Sequence, residues 1–257
     1  MKQVLASVIA HRRVAPGIHE VHLAAPEIAC DAQPGQFVHV RALDTWDPLL
    51  RRPLSLCRIG HPAGSLRSGE VSLLFEEVGR GTELLGRVEV GAKLDLLGPL
   101  GNGFTLTGTT RNALLVAGGL GIAPLVALAE KALAQEISVV LLAGAATAER
   151  LLPAEYLPAE AEYVVATDDG TLGHRGFVTD LVGEYLNWAD QIFACGPLPM
   201  FDALKRILEG SSLSAQVSLE ARMGCAVGAC LGCVISTRRG RQRVCREGPV
   251  FDLRELL

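Results

Sequence analysis

"NALLVAGGLGIAPLVALAEKALAQ" occupies positions 112–135. It opens as a continuous apolar run, breaks at Gly118, Gly119 and Gly121, and resumes with apolar residues at helical spacing. A buried strand, a tight turn and a helix account for that order. The glycines let the turn's backbone approach a phosphate, and the helix start adds free N–H groups and the positive end of its dipole. Pro124 suits the first helical turn, where its missing N–H is not needed. The strict GxGxxG fingerprint is broken, because Pro124 stands at its last position. A plain strand–turn–helix joint is the competing reading of the same residues.

The pattern continues downstream. "ISVVLLAGA" (137–145), "EYVVAT" (162–167) and "DQIFACG" (190–196) read as buried strands. "FVTDLVGEYL" (177–186) and "MFDALKRILEG" (200–210) read as helices, and "AQVSLE" (215–220) adds a last strand. Strands alternating with helices imply parallel βαβ units. Upstream the chain reads differently. "KQVLASVIAHRRV", "GIHEVHLAA", "GQFVHVRA", "PLSLCRI", "EVSLLFEEV" and "AKLDLLG" are short and rich in strand formers, with one short helix at "GTELLGRV". Regular short strands imply a small antiparallel barrel. The expected fold class is β plus α/β: a barrel over 1–104, a parallel-sheet nucleotide domain over 105–212, and a cysteine-bearing segment over 213–257.

That segment contains Cys225, Cys230, Cys233 and Cys245, spaced C-x4-C-x2-C-x11-C. Structural zinc usually takes two C-x2-C-like pairs. C-x4-C-x2-C with a remote fourth cysteine is the plant-type spacing for a [2Fe–2S] cluster. Gly224, Gly228 and Gly232 are expected to give the loop the positive φ that turns N–H groups toward sulfur. The spacing favours the cluster over zinc and over unliganded thiols. Five arginines surround Cys245, either as a solvated hairpin turning near Arg239 and Gly240 or as a cationic docking rim.

Composition bounds the rest. A chain of 257 residues, 49% hydrophobic and 20% charged, can bury a substantial core. A net charge of -4 leaves no footprint for nucleic acid or an anionic membrane. The longest apolar stretch is interrupted by glycines and Pro124, and no signal peptide is legible. The expected compartment is the cytoplasm, where seven cysteines point to metal or redox chemistry rather than disulfides. Cys30 and Cys57 read as structural, and His19 and His22 as a strand-spaced surface pair.

In the barrel half, "RRPLS" (51–55) places an arginine beside a proline at a strand start, which suits pairing with a diphosphate. "EEVGRGT" (76–82) ends in Gly81 and Thr82 at a helix start, a second candidate phosphate cradle. RPLS, GRGT, GGLGIAPL and "CGPLPM" (195–200) in that order resemble the ferredoxin–NADP reductase family. "GPLGNGF" (98–104) and "LEARMGCAVGACLGC" with Cys245 resemble one branch of it, the electron-transfer subunits of class B (NAD-dependent) dihydroorotate dehydrogenases.

The resemblance implies FAD on the barrel, NAD on the α/β domain and a [2Fe–2S] cluster at the end. It assigns the flavin to Arg52, Pro53, Leu54, Ser55, Leu74, Phe75 and Glu76, with the diphosphate at Gly81 and Thr82. It assigns the nicotinamide nucleotide to Gly118, Gly119, Gly121, Pro124, Cys195 and Gly196, and the cluster to Cys225, Cys230, Cys233 and Cys245; Asp168 joins the nicotinamide set by its position at the end of a parallel strand. Cys195 reads equally as a small core residue. Leu54 stands where many reductases have Tyr, so no aromatic stack is expected there. No catalytic side chain is expected. The implied partner is an FMN-containing dihydroorotate dehydrogenase subunit, two copies of each, with electrons passing through the cluster and FAD to NAD+. Arg150 is the one candidate for a 2′-phosphate. Two other readings stand: a subunit of another NAD(P)H reductase complex, and a zinc- and nucleotide-binding regulatory module.

Overall fold

A computed structural model describes residues 1–42, 47–60 and 65–257. In the first hundred residues β1 (Lys2–Ala15), β2 (Ile18–Ala24), β3 (Phe37–Arg41), β4 (Arg52–Ile59), β5 (Glu70–Glu76) and β6 (Lys93–Leu100) close into an antiparallel barrel, ordered β1-β2-β5-β4-β3-β6. Short helices α1 (Pro26–Ala29) and α2 (Arg80–Leu85) lie between strands. Alternate residues fill the barrel, among them Ala6, Val8, Val21, Leu23, Val38, Leu56, Leu73 and Leu96. This is the period-2 pattern of strands with one buried face.

The second unit is a seven-stranded sheet. β7 (Asn112–Gly118), α3 (Ile122–Leu133), β8 (Ser138–Ala145), β9 (Glu162–Thr167) and β10 (His174–Arg175) build it outward in one direction. α4 (Val182–Tyr185), preceded by a 3₁₀ turn over Val178–Leu181, crosses back to β11 (Gln191–Cys195) on the other side of β7. α5 (Leu198–Ile207) then leads to β12 (Ser214–Ser218), parallel to β11. β7, β8 and β11 are covered on both faces, so they read as unbroken apolar runs.

The C-terminal segment forms a hairpin of β13 (Val234–Thr237) and β14 (Gly240–Arg243), turning at Arg238 and Arg239. It ends in β15 (Val250–Asp252), which pairs antiparallel with β12. Two strands beyond residue 212 therefore complete the nucleotide sheet. The 98–104 loop fastens this segment to the barrel. Asn102 N donates to the Gly248 carbonyl at 2.6 Å, and its side-chain amide donates to the Glu247 carbonyl at 2.9 Å. Among the described residues, no helix is long and apolar enough to cross a membrane.

Candidate functional site

The two arginines of RRPLS have different surroundings. Arg51 reaches across to β6, donating to the Asp95 carbonyl at 2.8 Å and to its carboxylate at 2.5 Å. Its charge is thereby spent on closing the barrel. Arg52, among the described residues, donates only to the carbonyls of Leu50 and Arg51. Its uncompensated guanidinium is seated on the GRGT turn, where a Cβ on Gly81 would come within 2.2 Å of the Arg52 Nε. Glycine is needed at 81 for that approach. Thr82 closes the turn: its Oγ1 accepts from the Val78 and Gly79 N–H groups at 2.9 and 3.3 Å. Leu74, Phe75 and Glu76 end the neighbouring strand, with Glu76 paired to Arg150 from the α/β unit.

The facing wall is built at the point where the sheet's strand order reverses, between β7 and β11. Open α/β sheets bind ligands in the crevice this reversal leaves at the strands' carboxyl ends. A Cβ on Gly118 would lie 2.7 Å from Pro197 and 3.4 Å from the Gly196 Cα, so the two strand ends nearly touch. A Cβ on Gly121 would meet the Cys195 carbonyl oxygen at 2.0 Å. Gly121 thus serves helix-on-strand packing. Gly119 is different: it is exposed, with φ +56° and nothing within 4 Å of its would-be Cβ. Burial drives the Cys195 thiol far above its ordinary range, so it is a neutral wall rather than a nucleophile.

Between the walls lies a cleft of about 630 Å³. It brings together Arg52, Pro53, Leu54, Ser55, Leu74, Phe75, Glu76, Thr82, Gly118, Cys195 and Gly196. The other five residues predicted for the flavin and nucleotide lie outside its lining. Gly81 sits behind Arg52, while Gly121 and Pro124 are buried at the start of α3. Gly119 is on the rim, and Asp168 is exposed at the end of β9, two strands from β7. The sequence reading did not assign Phe37, Ser218, Glu220 or Met223, which also line the cleft. Their only signal was position: Ser218 to Met223 follow the last predicted strand and lead into Cys225.

The cysteine loop departs from expectation in one detail. Of its three glycines only Gly228 has a positive φ; the other left-handed residues are Ala226 and Leu231, at +58° and +59°. The outcome is nevertheless N–H groups aimed at sulfur. Ala229 N and Cys230 N each donate to the Cys225 Sγ at 3.3 Å, and Gly232 N to the Cys230 Sγ at 3.5 Å. Burial works to raise the Cys225 thiol. Donors on Cys230, Val227 and Ala229 outweigh it and bring the thiol down to about 6.

The four thiols influence one another: Cys225 interacts with Cys230, and Cys245 with Cys233 and, more weakly, with Cys225. Burial and its neighbour Cys233 push Cys245 up to about 12, so this pair resists double ionisation without a cation beside it. Among the described residues, no group of three or more such side chains is gathered closely enough for a single ion. The C-x4-C-x2-C spacing with a remote fourth cysteine is the ground for a two-iron cluster over one tetrahedral zinc. Cys233 and Cys245 face the core, whereas Cys230 is exposed beside Leu231, which is 60% exposed. Arg243 braces the loop by donating to the Gly228 carbonyl at 3.1 Å and pairing with Glu247. Arg239 pairs with Glu255, so two of the five arginines are committed locally.

One smaller expectation is corrected. His19 is 7% exposed, not a surface residue: its Nδ1 lies 2.9 Å from His11 Nε2 and its Nε2 3.1 Å from Glu77. Cys57 is buried, and Cys30 is exposed beside Lys2 and Asp31.

This architecture has a close counterpart among solved structures. The NADH-dependent reduced ferredoxin–NADP oxidoreductase, described in connection with flavin-based electron bifurcation, superposes with a TM-score of 0.84 at 26% identity. The match covers 99% of this chain and 90% of that one. The fold and cleft define an oxidoreductase of the ferredoxin–NADP reductase type. A family model for the "iron-sulfur cluster binding domain of dihydroorotate dehydrogenase B" matches residues 220–257, and one for an "oxidoreductase NAD-binding domain" matches 115–206. The dihydroorotate dehydrogenase B (NAD(+)) electron transfer subunit of Desulforamulus reducens is 41% identical, over 96% of this chain and 95% of its own length. That of a Geobacillus species is 40% identical, over 100% and 99%. The chain belongs to the family of electron transfer subunits of NAD+-dependent dihydroorotate dehydrogenase B.

Proposed function

We propose that this chain is the electron conduit of a two-subunit dihydroorotate dehydrogenase in the cytoplasm. Residues 1–104 hold FAD, 105–212 with β12 and β15 hold NAD, and the remainder of 213–257 holds a [2Fe–2S] cluster. When bound, FAD exchanges electron pairs with NAD+ and single electrons with the cluster, a conversion no side chain here performs. Arg52 pairs with the FAD diphosphate beside Gly81 and Thr82. Pro53, Leu54, Ser55, Leu74, Phe75 and Glu76 hold its ring. Gly118, Gly119, Gly121, Pro124, Cys195, Gly196 and Asp168 shape or line the path of the nicotinamide nucleotide. Cys225, Cys230, Cys233 and Cys245 hold the iron. A partner subunit, carrying FMN and present in two copies with two of this chain, oxidises dihydroorotate and docks over Cys230 and Leu231.

One observation carries this reading. The segment that lines the cleft from Ser218 to Met223 runs directly into Cys225, and Phe37 of the cleft shares a packed cluster with Met223, Cys233 and Cys245. Cleft and thiolates are therefore adjacent, as a relay requires. The test uses the purified chain alone. It should be brown, contain two irons and two sulfides per chain, and reduce an artificial dye with NADH but not with dihydroorotate. A colourless protein, or one that oxidises dihydroorotate by itself, contradicts the reading.

A further inference from the structure

The strand that begins at the RPLS motif and the helix that begins at the glycine turn are joined a second time, away from the cleft. Arg58 lies near the far end of β4, and Glu130 lies in the second half of α3. Arg58 is 8% exposed, and its guanidinium is divided between the two units. Toward the barrel, its Nε donates to the Glu20 carboxylate at 3.3 Å and its Nη1 to the Ser65 hydroxyl at 2.8 Å. Toward the nucleotide unit, Nη1 also donates to the Glu130 carboxylate and Nη2 to the Tyr156 carbonyl. Ser65 Oγ donates to the same Glu130 oxygen at 2.6 Å, closing the ring.

Elsewhere, much of the contact between the units is apolar: Ile18, Cys57, Leu74 and Phe104 pack with Leu125, Leu128 and Ala129 of α3. Apolar faces fix separation but tolerate sliding. A guanidinium held in several directions does not, because its hydrogen bonds are directional. Buried ion pairs contribute little net stability, since desolvation offsets the attraction. Their better use is to fix one geometry. Arg58 stands six residues from Arg52 along the strand, about 20 Å at ~3.3 Å per residue. A tilt of about 3° over that arm moves the cleft by about 1 Å.

We propose that the Arg58–Glu130 tie is a positioning device that sets the angle between barrel and nucleotide sheet, and thereby the approach of nicotinamide to flavin. The proposal rests on reading the cleft as the FAD and NAD site. Arg58 and Glu130 touch neither group; they act through β4 and α3.

Glu130→Ala removes the charged limb of the tie and leaves Arg58 its partner Glu20 and the Tyr156 carbonyl, so the barrel keeps a neutral pair. Glu130→Gln keeps an acceptor oxygen in place and should rescue it. In the holoprotein, E130A should retain its FAD and iron. Amide exchange at 58–60 and 130–134 should rise about tenfold, because the local opening becomes easier. Flavin reduction by NADH should slow by about tenfold or more, as expected of misalignment near 1 Å, with a smaller change in apparent NADH affinity. E130Q should stay within about threefold of the parent in both. Ser65→Ala, which removes one limb and no charge, should show the same changes at smaller size and serves if E130A folds poorly. Parental exchange and parental reduction rate in E130A and S65A would overturn the proposal. So would E130Q behaving like E130A. Failure of NADH to reduce the parent chain would instead count against the cofactor reading, and the exchange comparison would still decide whether Glu130 holds the units together.

Discussion

Gly121→Ala is a one-carbon change whose consequence follows from geometry. The added Cβ would lie 2.0 Å from the Cys195 carbonyl oxygen, 2.4 Å from its carbon and 2.9 Å from Gly196 N. All three atoms are backbone, and Cβ contacts under 3.0 Å essentially do not occur. The end of β11 or the start of α3 must therefore yield by about 1 Å, at roughly 1–3 kcal/mol of overpacking. Cys195 and Gly196 line the cleft, so the displacement falls where the proposed function puts the nicotinamide against the flavin. Misplacement of that size slows a reaction by about 10²-fold. Arg52 and the cysteine loop are elsewhere, so FAD and iron contents should not change. Anaerobic stopped-flow measurement of flavin bleaching by NADH reads the effect. Gly183→Ala, on α4 and outside the cleft lining, is the control: its Cβ meets no atoms within 4 Å. It should react within a few-fold of the parent. A G121A protein reduced at the parental rate would refute the assignment of this strand end to the nicotinamide.

Arg52→Ala should lose FAD during purification and keep its iron, since the deleted charge faces the cleft and not the cysteine loop; unchanged flavin content would remove Arg52 from the site. Cys230→Ser should strip or destabilise the cluster, whereas Cys57→Ser should leave iron and sulfide unchanged at a stability cost of about 1–3 kcal/mol for its buried hydroxyl. Full cluster absorption from a Cys230→Ala chain would contradict that ligand. Arg150 pairs with Glu76, which a 2′-phosphate would have to displace, so dye reduction should favour NADH over NADPH by about tenfold, the scale of one charge-assisted contact. Equal turnover would contradict this.

What was legible in the sequence was mostly local. The RPLS strand, the GRGT turn, the glycine-broken strand–helix joint and the cysteine spacing are each written within a few residues. The period-2 and unbroken apolar runs likewise separate the barrel from the parallel sheet. What was not legible depends on residues far apart in the chain. Nothing near Arg51 says that it turns away from the cleft, because Asp95, more than forty residues away, holds it. No local pattern links Arg58, Glu20 and Glu130, which meet only when the barrel and α3 are brought together. The strand at Ser214–Ser218 was legible, but that Val250–Asp252 returns to pair with it follows from pairing, not composition. Left-handed backbone at Ala226 and Leu231 has no signature at all, since neither residue type favours it.

The measurement closest to the central claim is dihydroorotate-dependent reduction of NAD+ by the chain recombined with a dihydroorotate-oxidising, FMN-containing subunit. Parallel samples would carry the intact cysteine loop and the Cys230→Ser loop. The intact pair should form NADH. The variant pair should still oxidise dihydroorotate with a dye that accepts electrons at the partner, but should form NADH at a small fraction of the intact rate. NADH formed at the full rate without the cluster, or none formed by the intact pair, would contradict the conduit.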